Sequence, residues 1–251
     1  MAQLMRTSNP TLNDRAFRGD RAAFGEEAMT IQGTVNKTGI LLLCALATAA
    51  WTWRQFMETR TPDTVAPWLM IGAIGGLIVA MVTVFKQQWS PITAPLYALL
   101  EGLVLGSASA MFELRYPGIA IQAVSLTFGT LVVMLLAYRS GLIPVTDKLR
   151  LGIVAATGGI ALVYLASFIM GFFGIHFNSI NGSGTIGIGF SVVVVIVAAL
   201  NLVLDFDLIE RGASWGAPKY REWYGGFALM VTLIWLYFEI LRLLSKMRSR
   251  N

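Results

Sequence analysis

The run from Gly184 to Leu204 carries no charge and is rich in Val, Ile and Gly. A helix needs about 20 apolar residues to cross a bilayer core of about 30 Å, and this run has that length. It closes on Asn201-Leu202-Val203-Leu204-Asp205-Phe206-Asp207-Leu208-Ile209-Glu210. Two carboxylates, Asp205 and Asp207, therefore arrive where a membrane helix leaves the bilayer. An acid in hydrocarbon is costly unless it is paired, protonated or hydrated. Any fold for this chain must supply one of those conditions.

Six other apolar runs surround that one. The predicted spans are Lys37–Trp53, Pro67–Phe85, Ile92–Phe112, Pro117–Tyr138, Leu149–Phe173, Gly184–Ile209 and Tyr224–Lys246. The chain is 56% hydrophobic and only 13% charged, against about 45–50% and about 25% for soluble domains. The fold class is all-α: a polytopic membrane protein built as a seven-helix transmembrane bundle. Residues 1–36 read as a polar cytoplasmic arm and residues 37–251 as the transmembrane domain. The lipid bilayer is the first partner.

Basic residues set the expected orientation. With the N-terminus inside, Lys86, then Arg139, Lys148 and Arg150, then Arg211, Lys219 and Arg221 fall in cytoplasmic loops. Only Arg54, Arg60 and Arg115 fall in outer loops, although the basic tail from Arg242 to Arg250 argues the other way. Early spans weigh more than late ones, so the expectation is N-terminus cytoplasmic and Asn251 outside. The formal charge of +5 is explained by these flanks, and no basic run with interleaved aromatics points to nucleic acid.

Several chemistries lose their residues. The single Cys44 excludes an intramolecular disulfide and a CxxC site. One histidine, His176, near the end of an apolar run, is too few for intramembrane zinc hydrolysis. No mid-span lysine offers a retinal Schiff base. Nor does any span place a histidine or lysine at depth to serve as a general base. No phosphate loop or dinucleotide fingerprint is present. An enzyme is not expected, and neither is a cofactor.

The remaining chemistry lies in the intramembrane acids. Asp205 and Asp207 point about 200° apart on a helix. Asp207 reads as a helix-exit residue turned to headgroups or water. Asp205 is one turn from Asn201, which could hydrogen-bond to it. Glu239 lies deep in the last span with Arg242 three residues on, and that pair is its structural reading. Glu101 lies nine residues into the third span beside Gly102 and could bridge helices when protonated. Small residues, Gly102, Gly106 and Ala110 in that span and Gly72 and Gly76 in the second, predict close helix contacts.

Leu204-Asp205-Phe206-Asp207-Leu208-Ile209 and Leu236-Tyr237-Phe238-Glu239 resemble two runs of the Bax inhibitor family, also called the transmembrane Bax inhibitor motif proteins. The family closes its sixth span on Tyr-Asp-x-x-x-Ile, and Asp205 and Ile209 keep that spacing with Leu204 for Tyr. Its seventh span carries Leu-Tyr-Leu-Asp, similar to Leu236-Tyr237-Phe238-Glu239. Ser8 to Asn13, Gln32 to Gly39 and Gly216 to Tyr220 look like a bacterial subgroup, which implies a bacterial inner (plasma) membrane as the setting. The resemblance implies a seven-helix bundle with a central last helix wrapped by the other six. It implies a pH-sensitive calcium leak, closed when acids of the sixth and seventh helices share a proton. Carried over, the gate pair is Asp205 and Glu239, and the basic latch maps to Lys86. A last helix beginning at Tyr224 puts Glu239 roughly 22 Å along it. Asp205 then meets Glu239 only if that helix starts near Met230; otherwise its partner is Glu222.

The leading expectation is a proton-regulated calcium leak in which two acids at low dielectric share a proton. The alternative is a regulatory partner of a membrane-bound protease or another membrane protein, with the arm as the contact and the acids structural.

Overall fold

The computed structural model describes residues 27–174 and 182–250. Residues 1–26 of the arm, His176 and Asn251 lie outside them. Seven helices are long and apolar enough to cross a membrane. They are α1 (Ile31–Thr59), α2 (Pro62–Phe85), α3 (Ser90–Arg115), α4 (Ile119–Arg139), α5 (Asp147–Phe172), α6 (Thr185–Ser214) and α7 (Arg221–Arg250). One 3-10 turn, Gln87–Trp89, links α2 to α3. The described residues contain one isolated β-bridge, Ala28 to Pro218.

α7 is the axis of the bundle. Leu229, Met230, Leu233, Leu236, Tyr237 and Ile240 are all buried along it. α1, α3, α4 and α6 pack directly against α7, whereas α2 packs chiefly on α3 and α5 on α6. The last helix is thus central, with an inner ring of four helices and two outer ones. Outward faces are apolar, with Ile74 and Leu77 on α2 and Leu151 and Leu162 on α5 exposed. In a bilayer these faces meet acyl chains.

α1 departs from the predicted boundary. It starts at Ile31, inside the stretch read as arm, and runs to Thr59. Thr30 explains the start: its hydroxyl accepts from Gly33 N at 2.9 Å, capping an otherwise unsatisfied N–H. Hydropathy misses this first turn because Gln32, Asn36 and Lys37 are polar. α7 likewise starts at Arg221, not near Met230.

The glycine faces make the expected close contacts. Thr48 Oγ1 on α1 donates to Leu99 O on α3 at 2.8 Å, and Thr52 Oγ1 faces Leu103 O at 3.4 Å. A Cβ on Gly106 would overlap the carbonyl of Ala49, which is backbone and cannot swing away. α1 and α3 therefore touch only because position 106 has no side chain. Gly106→Ala should lower the thermal unfolding midpoint in detergent, with a cost of about 1–3 kcal/mol for overpacking. Gly129→Ala, where a Cβ meets nothing within 4 Å, should leave it unchanged or raise it slightly. Equal midpoints for the two variants would show that the α1–α3 contact is not sterically limited.

Candidate functional site

A cleft of about 420 Å³ opens between α5, α6 and the start of α7. Asp205, Asn201 and Asp207 of α6 line it, with Arg150 of α5 and Tyr224 of α7. Met29 and Ala217 form part of the same wall. Asp205 is held between helices: Thr232 of α7 interacts with its carboxylate, while the buried Oδ2 has no hydrogen-bond partner. Asn201 does not serve Asp205. Its Nδ2 donates instead to Thr157 Oγ1 and Val197 O, both at 2.8 Å. The two lie one turn apart on nearly the same face, yet Asn201 reaches Thr157 of α5 and Asp205 reaches Thr232 of α7.

Asp207 is not turned to water as the sequence suggested. It is 8% exposed and sits between two guanidinium groups, Arg150 at 2.5 Å and Arg211 at 2.9 Å. Arg150 comes from a different helix, and only tertiary packing could reveal that partner. Beside this group Tyr138 of α4 donates to Glu210.

Glu239 is 2% exposed. Tyr164 OH of α5 donates to its carboxylate at 2.9 Å, and Arg242 Nη1 lies 3.1 Å away on the same helix. Arg242 also stacks over the Tyr164 ring, 4.9 Å from its centroid. The intrahelical pair foreseen from spacing is present, and the tyrosine completes it. Arg242 thereby serves Glu239 and not Asp205. Seven residues separate Thr232, which faces Asp205, from Glu239, or about 10 Å along the helix. The two acids of the expected gate pair are therefore not in contact.

Glu222, the other candidate partner, is fully buried and also committed elsewhere. It accepts from Thr30 N at 3.0 Å and Thr30 Oγ1 at 2.9 Å. Lys219 lies 3.3 Å away and Lys37 3.7 Å. Lys219, in the loop before α7, is held protonated above the ordinary lysine range, first by its hydrogen bond to Glu222 and then by Glu27. Met29 N donates to Ala217 O at 2.7 Å in the same clamp. Residues 27–30, read from the sequence as part of the polar arm, are thus tied to the α6–α7 loop and the start of α7.

The remaining candidates lie apart from this cleft. Glu101 is half-buried on α3, beside Tyr97 and over Gly76 of α2. Among the described residues it makes no ion pair. Lys86 is exposed at the end of α2, next to Gln87, Trp89 and Tyr220, and makes no ion pair with Asp205. Lys246 corrects a second expectation, that no span buries a lysine. It is 6% exposed, with Nζ donating to Gly187 O at 3.0 Å and Ser191 Oγ at 2.9 Å. Its place in a basic tail hid it. No three His, Cys, Asp or Glu side chains group as a metal site among the described residues.

Seven membrane-crossing helices around a central last one, with acids buried between the last three, define a multi-pass integral membrane protein of a particular pattern. Residues 9–249 match the family described as Bax inhibitor 1 like, and the chain belongs to it. No curated protein and no solved structure matches the chain.

The clamp at Glu222 yields a direct test. Glu222→Ala removes the acceptor for Thr30 and the partner of Lys219. The Met29 amide, protected by Ala217 in the parent, should exchange with solvent faster, while amides in the middle of α3 keep their rates. Unchanged exchange at Met29 would show that the strap is held without Glu222.

Proposed function

We propose that this protein is a non-enzymatic, proton-regulated cation leak, with calcium as the ion and Asp205 as the proton-sensitive group. The observation that carries the reading is the buried, unpartnered Asp205 oxygen in a cleft-lining carboxylate. An ionised carboxylate there needs a cation or water, whereas a protonated one needs neither. Three other deep acids are paired: Asp207 by two arginines, Glu239 by Arg242 and Tyr164, and Glu222 by Thr30 and Lys219, while Glu101 lies away from the cleft beside Tyr97. Asp205 is thus the cleft acid without an ion pair. In this reading the proton is taken by one site, not shared by an Asp205–Glu239 pair. Calcium prefers six to eight oxygens, so a single carboxylate suits passage better than storage.

The cleft lies at the end of the bundle that carries Lys86, Lys148, Arg150, Arg211 and Lys219. The bias of basic residues toward the inside makes that end cytoplasmic, in a bacterial inner membrane. A reporter fused at Asn251 should therefore read as external, and a cytoplasmic signal there would reverse the orientation.

Calcium flux into liposomes tests the function. The parent should leak calcium with a dependence on pH between about pH 6 and 8, where functional buried acids exchange protons. Asp205→Asn keeps the shape and removes the ionisable proton, so most of that dependence should vanish. Glu239→Gln should retain it, because Glu239 is about 10 Å along the helix from the Asp205 contact. A parent flux no greater than that of empty liposomes would overturn the leak reading. The protein would then be a regulatory partner of a membrane-bound protease or another membrane protein.

A further inference from the structure

α5 is the least embedded helix of the bundle. It packs on α6 and meets α7 mainly through one long side chain, Tyr164. Among its described side chains only Ile153 and Ile160 are buried. Leu151, Leu162 and Leu165 face outward. Apolar contact with α6 offers little advantage over apolar contact with lipid, because acyl chains are as hydrophobic as leucine. Polar contacts must therefore do much of the holding.

Those contacts form a regular series. Arg150, Thr157 and Tyr164 are seven residues apart and share one face of α5. Each reaches a different partner on α6 or α7. Arg150 Nη2 pairs with Asp207 at 2.5 Å, Thr157 Oγ1 accepts from Asn201 at 2.8 Å, and Tyr164 OH donates to Glu239 at 2.9 Å. Ile153 and Ile160 fill the intervals. The first contact belongs to the Asp205 cleft itself, since Arg150 and Val154 are the α5 part of its wall.

We propose that α5 is the movable wall of the Asp205 cleft, and that these three polar rungs hold it closed. Swinging α5 away from the α6–α7 pair extends the cleft along the seam toward Asn201 and Glu239. The α1–α3 contact stands apart from this motion, because α5 packs chiefly on α6 and reaches α7 at Tyr164. Its consequence for flux rests on the leak reading above; the motion itself does not.

Two measurements test it. In a Cys44→Ser background, cysteines replacing Thr157 and Asn201 are joined by a short, reducible thiol cross-linker. The linked protein should lose most of its calcium flux and regain it on reduction. Undiminished flux in the fully linked protein would overturn the proposal. Separately, spin labels at positions 162 on α5 and 77 on α2 report the position of α5 in nanodiscs. Thr157→Val with Tyr164→Phe removes two hydroxyl rungs and keeps side-chain shape. That variant should show a second population, displaced by about 5 Å or one helical turn. A single unchanged distance in a variant that elutes as the parent does would also overturn the proposal. If the parent proves not to leak, the spin-label distances still decide whether α5 moves.

Discussion

A charge or amide in hydrocarbon has no water to turn to, so each must find its partner on a neighbouring helix. That requirement organises the interior of this protein. Asp207 is neutralised by Arg150 and Arg211, Glu239 by Arg242 with Tyr164, and Glu222 by Lys219 and Lys37. Lys246 donates to a carbonyl and a hydroxyl at the start of α6. These contacts join α5 to α6, α5 to α7, α1 to α7 and α6 to α7. Breaking one partner of such a pair costs far more than the intact pair contributes, because it leaves a buried charge unanswered. Within that pattern Asp205 differs: its buried Oδ2 has no hydrogen-bond partner, whereas Glu222 Oε2, also without one, still lies 3.7 Å from Lys37.

A second constraint is steric. Lipid gives no hydrophobic incentive for helices to associate, so close backbone approach and interhelical hydrogen bonds take over. α1 and α3 use both at once. Gly102 and Gly106 let the helices touch, and Thr48 and Thr52 turn their hydroxyls onto α3 carbonyls. This contact and α7 make a frame that is tight where α5 is loose. The bundle is therefore mechanically uneven, and the cleft lies on its loose side.

The sequence carried the architecture clearly, because a span announces itself by length and hydropathy alone. It also showed the Glu239–Arg242 pair, which depends only on spacing within one helix. Helix ends were less legible. α1 begins at a polar turn whose stability comes from the Thr30 cap and from Glu222, almost 200 residues away in the chain. Partners across helices were not legible at all. Whether Asp205 meets Glu239, Glu222 or neither depends on the axial offset between α6 and α7, which hydropathy does not encode. The same holds for Asp207, whose burial depends on Arg150 arriving from α5. The series Arg150, Thr157 and Tyr164 was a readable signal: polar residues at seven-residue spacing inside an apolar span.

The offset between α6 and α7 also explains why the family's pair of motifs lies apart here. α6 and α7 run antiparallel, with Ile209 near Gly225, Asp205 near Thr232 and Ser191 near Lys246. In that register the α7 residue across from Asp205 is a threonine, and Glu239 lies one heptad further along. A heptad preserves the helix face almost unchanged, so Glu239 remains on the seam with Asp205 while moving out of its reach. The vacated level is filled by Asn201 and Thr157, and the lower one by Tyr164. The acids are thus stations along one polar seam, and the helix that closes that seam is α5. Thr157 and Tyr164 of α5 cover the levels beyond Asp205, so the packing of that helix, and not the distance between two carboxylates, sets how far the cleft reaches along the seam.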